Sequence, residues 1–237
     1  MSSDGIITGT TGDDVIDSAF IDADGDFILA TGQTIQAGDG DDYIYDGAGD
    51  DTVEGGSGRD RFYAGEGADH YDGGLGSQDE VSYTQSTAGL TINMVDASAS
   101  SGMALGDTFT GVERLRGTES DDTIIVNADI THIYGRGGND SITDAAGAQY
   151  LSGGSGADTF RFGAGDGAQD WITDFENDLD QIDVSAWGVT DFSQLTITGR
   201  ANQTQGVIVD YGAESIRINN LLVTQTDLLD AGDFIFL

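Results

Sequence analysis

Large apolar residues recur at every ninth position between Ala37 and Asp72. Four nine-residue units follow one another there without a gap, AGDGDDYIY, DGAGDDTVE, GGSGRDRFY and AGEGADHYD, and their eighth places hold Ile44, Val53, Phe62 and Tyr71. Because side chains alternate along a strand, this spacing predicts a very short strand at the end of each unit, with the eighth side chain pointing inward. The six preceding residues are predicted to form a turn, and two units to make one lap of a coil.

Glycine and aspartate also keep fixed places in these units, with glycine at the second and fourth places and aspartate at the sixth. Stacked laps place residues eighteen apart over one another, so Asp42 should meet Asp60 and, on the opposite side, Asp51 should meet Asp69. Neighbouring carboxylates repel unless a cation lies between them. Carboxylates and the carbonyls that glycine turns expose are the oxygen ligands that calcium prefers. Calcium is therefore predicted between successive laps.

This pattern resembles the G-G-x-G-x-D-x-U-x repeat of the RTX (repeats-in-toxin) family. The resemblance implies an all-β fold, namely a right-handed parallel β-roll of calcium-binding nonapeptide repeats that holds several calcium ions. The alternative is a disordered segment rich in glycine and aspartate, and it is disfavoured because the large apolar residues stay in phase.

The regions before and after this first array follow the pattern less closely. Residues 1–36 are predicted to form an irregular first coil, because a regular unit at 9–17 is followed by a loss of phase up to Ile35. Within it, DADGD resembles the start of an EF-hand loop, but Gln33 stands where that loop requires glutamate. The first array spans residues 37–82, and its fifth unit is stretched by one residue and carries Asp79. Residues 83–116 lack the glycine code and are predicted to form a bridging coil.

A second array is predicted at residues 117–161, where the inward residues again keep nine-residue spacing. They are Ile124, Ile133, Ile142, Leu151 and Phe160. Aspartate occupies the sixth place in every other unit, and the alternate units have Thr131 and Gln149 there. Since alternate units lie on opposite sides of the coil, calcium is predicted along one side only of this array.

The predicted metal ligands of both arrays are the sixth-place aspartates and the turn glycines. They are Asp14, Gly38, Gly40, Asp42, Gly47, Gly49, Asp51, Gly56, Gly58, Asp60, Gly65, Gly67, Asp69, Gly74, Gly76, Asp79, Asp122, Gly138, Asp140, Gly154, Gly156 and Asp158.

Residues 162–237 are predicted to form a β-rich C-terminal cap, with Trp171 and Trp187 in its core and a short helix at TQTDLL, 224–229. This segment resembles the caps of serralysin proteases and of mannuronan epimerase R-modules. The resemblance implies that the C-terminus, where Asp233 precedes four apolar residues, is a signal read by type I secretion machinery. The protein is therefore expected to be secreted, or held at the cell surface, and to fold when it meets extracellular calcium.

The composition and the absence of certain motifs limit the functions that the protein can have. The 237 residues include 43 acids and eight arginines but no lysine, cysteine or proline, and the net charge is −35. Such a charge excludes nucleic acid as a partner and predicts a fold that depends on cations. The sequence contains no H-E-x-x-H zinc motif and no G-x-S-x-G elbow. No apolar run approaches the ~20 residues of a transmembrane segment, and the N-terminus lacks the features of a cleaved secretory signal.

One outward face of the first array suggests a ligand. The seventh and ninth places flank the inward residue, so Tyr43 and Tyr45 should lie beside Arg61 and Tyr63 on laps ~4.8 Å apart. Flat rings beside a guanidinium group suit a sugar chain or an anionic polysaccharide. The alternative is a set of cross-strand pairs that only stiffens the sheet.

Three classes of function remain open. The first is a calcium-dependent binding or adhesion module for an extracellular polysaccharide, and the second is a structural surface-layer or matrix protein. The third is a polysaccharide-modifying enzyme, similar to a uronate epimerase or lyase, which would need a site at acids outside the calcium ligands such as Asp96 or Glu113. No catalytic residue is assigned, and the sequence favours a module without catalysis.

Overall fold

The fold is known from a computed structural model that describes residues 5–199, 206–219, 221 and 229–237. The chain forms two compact units, Met1–Thr118 and Glu119–Leu237. The regular structure of the described residues consists of β-strands and short 3-10 helices, which confirms the all-β class. Among the same residues, no helix has the length and apolar character needed to cross a membrane. The helix predicted at 224–229 falls largely outside the described part of the chain.

The first unit is built from eleven strands and two 3-10 helices, the latter at Ala97–Ala99 and Gly102–Ala104. The strands are β1 (Ile6–Thr8), β2 (Val15–Ile16), β3 (Thr34–Asp39), β4 (Tyr43–Tyr45), β5 (Thr52–Gly58), β6 (Arg61–Tyr63), β7 (His70–Gly76), β8 (Glu80–Ser82), β9 (Thr91–Asn93), β10 (Thr108–Thr110) and β11 (Arg114–Arg116).

Two parallel sheets face each other in this unit, and each lap contributes one strand to each sheet. One sheet has the order β1-β3-β5-β7-β10, and the other runs β2-β4-β6-β8-β11. Residues that pair on adjacent strands are eighteen positions apart, as Ile44 and Phe62 are, and Val53 and Tyr71. All four of these side chains are buried in the core. The parallel β-roll predicted from the nine-residue spacing is therefore confirmed.

The strands of the two sheets differ in length, which the repeat alone did not show. Three-residue strands occur as predicted at β4, β6 and β8, but β5 and β7 have seven residues each. The prediction is wrong for these two because the backbone pairing continues through the turn glycines, with Gly56 between Gly38 and Gly74. Glycine permits this because it brings no side chain into the gap between laps.

The irregular first coil and the bridging coil both add strands to the stack. Ile7 and Ile16 form a complete lap that pairs with Ile35 and Ile44, and the loop between β2 and β3 is an insertion into that lap. In the bridging coil, Phe109 pairs with Tyr71 and Leu115 with Val81. The coil therefore continues through segments that lack the glycine code.

The second unit repeats this architecture and ends in the cap. Its strands are β12 (Thr123–Ile125), β13 (His132–Gly137), β14 (Ser141–Thr143), β15 (Tyr150–Ser155), β16 (Thr159–Arg161), β17 (Gln169–Ile172), β18 (Gln181–Asp183), β19 (Thr196–Gly199), β20 (Val207–Tyr211), β21 (Glu214–Ile218) and β22 (Phe234–Ile235), and its 3-10 helices are Ser185–Trp187, Phe192–Gln194 and Ala231–Asp233. Parallel pairing joins β12, β14, β16, β18 and β22 on one side and β13, β15, β17 and β21 on the other. The antiparallel strands β19 and β20 extend the second sheet beyond β21.

The two tryptophans of the cap have different environments. Trp187 is buried as predicted, and its indole N–H donates to the carbonyl of Gly163 at 2.6 Å. Trp171 lies on the outward face of β17, where its ring stacks on Tyr150 at 4.6 Å, and Tyr150 in turn stacks on His132. The prediction of a core position for Trp171 is wrong because its neighbour Ile172 takes the inward place on the strand.

Candidate calcium sites

The sixth-place aspartates of the first array form two ladders, one on each side of the coil. In each step, a backbone N–H of one lap donates to Oδ1 of the aspartate on the next lap. Asp42 N–H donates to Asp60 at 2.9 Å, and Asp60 N–H donates to Asp79 at 2.7 Å. On the other side, Asp51 N–H donates to Asp69 at 2.8 Å. The pairs expected from the eighteen-residue spacing are thus in contact.

Both ladders extend beyond the gap-free units of residues 37–72. Asp14 N–H donates to Asp42 Oδ1 at 2.8 Å, so the first coil joins the ladder. At the opposite end, Asp69 N–H donates to Asp107 at 2.9 Å, and Asp79 N–H donates to Glu113 Oε2 at 3.0 Å. Asp107 and Glu113 were missed, although each lies two residues before an inward residue, as Asp60 does.

The second oxygen of six ladder aspartates has no hydrogen-bond partner within the part of the chain that the structure describes. This holds for Oδ2 of Asp42, Asp51, Asp60, Asp79, Asp140 and Asp158, and each of these residues is at most 3% exposed. A buried carboxylate oxygen without a partner carries a large desolvation cost, which a bound cation relieves. The donor set therefore fits calcium, which takes six to eight oxygen ligands, and these aspartates with the turn carbonyls would hold it.

Glycine is required where the turns of successive laps approach most closely. Gly56 and Gly58 have φ values of +111° and +136°, which disfavour side chains, and a Cβ on Gly56 would overlap the carbonyl of Gly38. A Cβ on Gly55 would overlap Oδ2 of Asp60. Positive φ values occur at most predicted turn glycines, namely Gly38, Gly40, Gly47, Gly49, Gly56, Gly58, Gly67, Gly74, Gly138, Gly154 and Gly156, but not at Gly65 or Gly76.

The ladder carboxylates have raised pKa values in the absence of metal. Burial raises the pKa of Asp60 to about 7, and the charges of Asp42 and Asp79 add to the rise. Burial likewise raises the pKa of Asp51 to about 7, with Asp69 as a neighbouring charge. At neutral pH the folded coil must therefore hold negatively charged carboxylates at positions where water solvates them poorly. When calcium binds, it supplies the opposing positive charge.

On one side of the second unit, the sixth-place aspartates form a ladder that continues into the cap. Asp122, Asp140 and Asp158 are linked by amide donations of 2.8 Å each, and Asp158 N–H donates to Asp180 at 2.9 Å. Asp180 was missed, although it stands two residues before the buried Ile182. The predicted ladder positions on this side are thus brought together.

The opposite side of the second array is arranged differently. Gln149 is buried there, and its side-chain amide accepts from Ala145 N–H at 3.3 Å and donates to the carbonyl of Ala146 at 3.2 Å. The glutamine thus satisfies its own turn. Asp170 accepts the backbone N–H of Gln149, and burial together with the charges of Asp170 and Asp166 raises the pKa of Asp144 to about 7. This side therefore carries acids outside the repeat code.

A buried acidic cluster inside the first unit joins the predicted pair Asp51 and Asp69 to Asp46, which was missed. Asp46, Asp51 and Asp69 each place a carboxylate oxygen within 4.8 Å of the others. The hydroxyl of Tyr71 donates to Asp46 Oδ2 at 2.6 Å and approaches Asp69 Oδ2 at 3.2 Å. Tyr71 is the inward residue of its unit, so its ring fills the core while its hydroxyl reaches the acids.

The two acids considered for catalysis have structural roles. Asp96 caps the 3-10 helix at Ala97–Ala99 by accepting the N–H of Ser98. Glu113 accepts from the backbone of Gln78 and Asp79 at the end of a ladder. Glu113 therefore takes the ladder place in its lap, which the sequence did not indicate.

The predicted ligand face has the expected register. Tyr43 pairs with Arg61 and Tyr45 with Tyr63 on adjacent strands. The rings of Tyr45 and Tyr63 stack at 4.2 Å, and the guanidinium carbon of Arg61 lies 5.7 Å from the centre of the Tyr43 ring. Arg61 and Arg116 both approach one carboxylate oxygen of Glu80 at 2.9 Å.

The sequence matches known repeats at the places where the ladders occur. The model of the RTX calcium-binding nonapeptide repeat matches residues 30–61, 47–77, 107–129 and 132–167. No curated protein matches the chain in sequence. The chain forms a parallel β-roll with calcium-binding turns. It contains four copies of the RTX calcium-binding nonapeptide repeat.

Two solved structures show a low similarity to this chain. One is the AlgE6R3 subunit of the Azotobacter vinelandii mannuronan C5-epimerase, with 24% identity over 52% of this chain and 77% of that chain and a TM-score of 0.40. The other is the extracellular lipase LipA from Serratia marcescens, with 16% identity over 89% of this chain and a TM-score of 0.33. The match spans 39% of the length of the lipase.

Proposed function

We propose that this calcium-binding repeat protein is a secreted module that folds on extracellular calcium and binds an anionic polysaccharide through one face of its first unit. Extracellular calcium modules bind in the range of about 10⁻⁴–10⁻³ M, so the sites would be empty inside the cell and filled outside. Export by type I secretion machinery as an unfolded, strongly acidic chain, followed by folding, is the route that this dependence favours.

The observation that carries the binding proposal is the distribution of arginine. Of the eight arginines in a chain of net charge −35, four lie at positions 59, 61, 114 and 116. Arg61 begins β6, Arg114 and Arg116 lie on β11, and Arg59 lies two residues before β6. Only β8 separates β6 from β11 in the sheet. Arginine is the side chain best suited to carboxylates because its planar fork donates two hydrogen bonds at once.

Aromatic rings lie beside these arginines. A small groove is lined by Tyr43, Arg59, Arg61, Gln78 and Arg114, together with the buried carboxylates of Asp60 and Glu80. The stacked pair Tyr45 and Tyr63 borders the same strands. The side chain of Tyr43 is 38% exposed, so its ring is accessible to a sugar. A polymer of sugar acids would match both features, because its carboxylates suit the guanidinium groups and its ring C–H faces suit tyrosine.

The test is a titration of the folded protein with a short oligouronate at a fixed millimolar calcium concentration, with neutral dextran as the comparison. The double variant Arg59→Gln/Arg61→Gln should weaken binding at least about tenfold, because each lost contact is a charge-assisted hydrogen bond. The matched control Arg136→Gln/Arg161→Gln removes two arginines from the second unit and should bind as the wild type does. Circular dichroism in calcium checks that all three proteins are folded.

Other outcomes would overturn the proposal. Equal weakening by both double variants would show that only the overall charge matters. A lack of binding to every acidic polysaccharide tested would leave a structural surface-layer or matrix role. Release of chemically altered sugar would instead indicate an enzyme similar to a uronate epimerase or lyase.

A further inference from the structure

The first place of a repeat unit is inward and small everywhere in the first array except at residue 46. The array has Ala37, Gly55, Ala64 and Gly73 at this place, but Asp46 in the second unit. Ala37 and Ala64 are fully buried, and Asp46 is only 1% exposed. A carboxylate thus replaces a methyl group or a hydrogen atom inside the coil, where it would be destabilising without a partner.

The surroundings of Asp46 leave one of its oxygens without a protein partner. Oδ2 accepts the hydroxyl of Tyr71, but Oδ1 has no hydrogen-bond partner among the described residues. Oδ2 of Asp51 is likewise buried and has no partner among them. Carboxylate oxygens of Asp46, Asp51 and Asp69 lie within 4.8 Å of one another, so the two residues that carry an unpartnered oxygen belong to one buried cluster.

We propose that Asp46 is an additional carboxylate ligand of calcium, so that the site shared with Asp51 and Asp69 has three acidic side chains. The repeat code supplies only the two sixth-place aspartates, and the first place of the code holds glycine. On the other side of the coil, the ladder of Asp42 and Asp60 has Ala37 and Gly55 at the first place and therefore no third carboxylate.

The added charge has a consequence for the order of binding. Calcium affinity rises with the number of charged ligands in a site. The Asp46 site therefore binds calcium most tightly among the sites of the first array and fills first as calcium rises. It then holds the laps of Asp51 and Asp69 together before the other sites are occupied. Tyr71 is a positioning residue, because its hydroxyl contacts two of the three carboxylates.

The competing explanation is that Asp46 is a neutral acid, hydrogen-bonded to Tyr71 and uninvolved in metal binding. The two explanations differ for Asp46→Asn, which keeps the shape and removes the charge. They also differ for Asp46→Ala, which restores the residue that the chain has at position 64 and so suits this backbone. Neither explanation of Asp46 depends on polysaccharide binding, because the experiment measures calcium binding alone.

The experiment is a calorimetric titration of calcium into the chelator-stripped full chain, with a competing chelator to resolve the tightest site. Both Asp46 variants should weaken the tightest site by about tenfold or more and leave the weaker sites unchanged. The control Glu66→Gln removes one negative charge from the exposed turn of the next lap and should leave the tightest site unchanged.

Tyr71→Phe provides a second measurement should either Asp46 variant fold poorly. It should weaken the tightest site severalfold, because the carboxylates lose the hydroxyl that orients them. Identical titration curves for the wild type, the Asp46 variants and Tyr71→Phe would overturn the proposal and identify Asp46 as a neutral buried acid. Equal weakening by Glu66→Gln would also overturn it, because general charge would then explain the effect.

Discussion

In the first unit both sides of the coil carry acidic ladders, whereas in the second unit the repeat code places acids on one side only. The difference is clearest at the sixth place, where Asp51 and Gln149 occupy equivalent positions in their units. Asp51 is left with one buried oxygen that lacks a partner among the described residues. Gln149 uses both ends of its amide on its own turn.

This comparison shows two ways of closing the same turn. Aspartate leaves negative charge that a cation must balance, and the cation in return links neighbouring laps. Glutamine is neutral and both donates and accepts, so its turn is complete without metal. Gln33 does the same in the first unit, where its amide donates to the carbonyl of Phe27 at 3.0 Å. The choice between acid and amide therefore sets how strongly each part of the coil depends on calcium.

Chelation should produce the largest effect and should separate the two units. Removing calcium should lower the hydrogen-exchange protection of residues 34–82 by about 100-fold or more, since a ligand at 100 times its Kd stabilises by ~2.7 kcal/mol per site. Residues 144–155, on the glutamine side of the second unit, should lose less. Exchange measured by mass spectrometry on the intact chain, with and without chelator, tests this. Equal losses of protection in both segments would contradict the comparison. Magnesium is the control and should not restore protection, because it retains its water ligands.

The pH dependence should reverse between chelator and calcium. Burial raises the pKa of Asp51, Asp60 and Asp140 to about 7 in the folded state. Without metal, the folded state thus binds more protons than the unfolded chain between the ordinary aspartate range and about pH 7. Stability is then fully present below that window and is lost as pH rises through it.

In excess calcium, protons compete with the metal for the same oxygens, so stability should instead rise over this window. Thermal unfolding at about pH 5 and about pH 8, in each buffer, measures both slopes. Slopes of the same sign in the two buffers would show that the raised carboxylates do not bind calcium.

Gln149→Asp should have the smallest effect and should convert one type of turn into the other. The variant loses the side-chain hydrogen bonds to Ala145 and Ala146 and gains a buried carboxylate. In chelator this should cost about 1–3 kcal/mol of the free energy of unfolding, and calcium should restore part of it. Gln149→Ala is the control, because it loses the same hydrogen bonds without adding charge and its cost should not change with calcium. An identical calcium response of the two variants would contradict the role assigned to the glutamine.

The nine-residue spacing by itself determined the class of fold, the coil and the pairs of sixth-place aspartates that meet between laps. Spacing is sufficient for these because each lap has a constant length, so residues eighteen apart meet wherever the repeat is regular. Asp42 over Asp60 and Asp51 over Asp69 follow directly. The one-sided ladder of the second array, with Gln149 at the alternate place, could be predicted for the same reason.

Only the tertiary structure decided which residues meet where the lap length changes. Asp107 and Glu113 join the ladders across separations of 38 and 34 residues, which no fixed period predicts. The inward direction of Asp46, its contact with Tyr71 and the outward stacking of Trp171 also depend on how neighbouring laps pack. A local repeat specifies the register between equal laps, but the contacts across insertions are selected by burial and hydrogen bonding in the assembled coil.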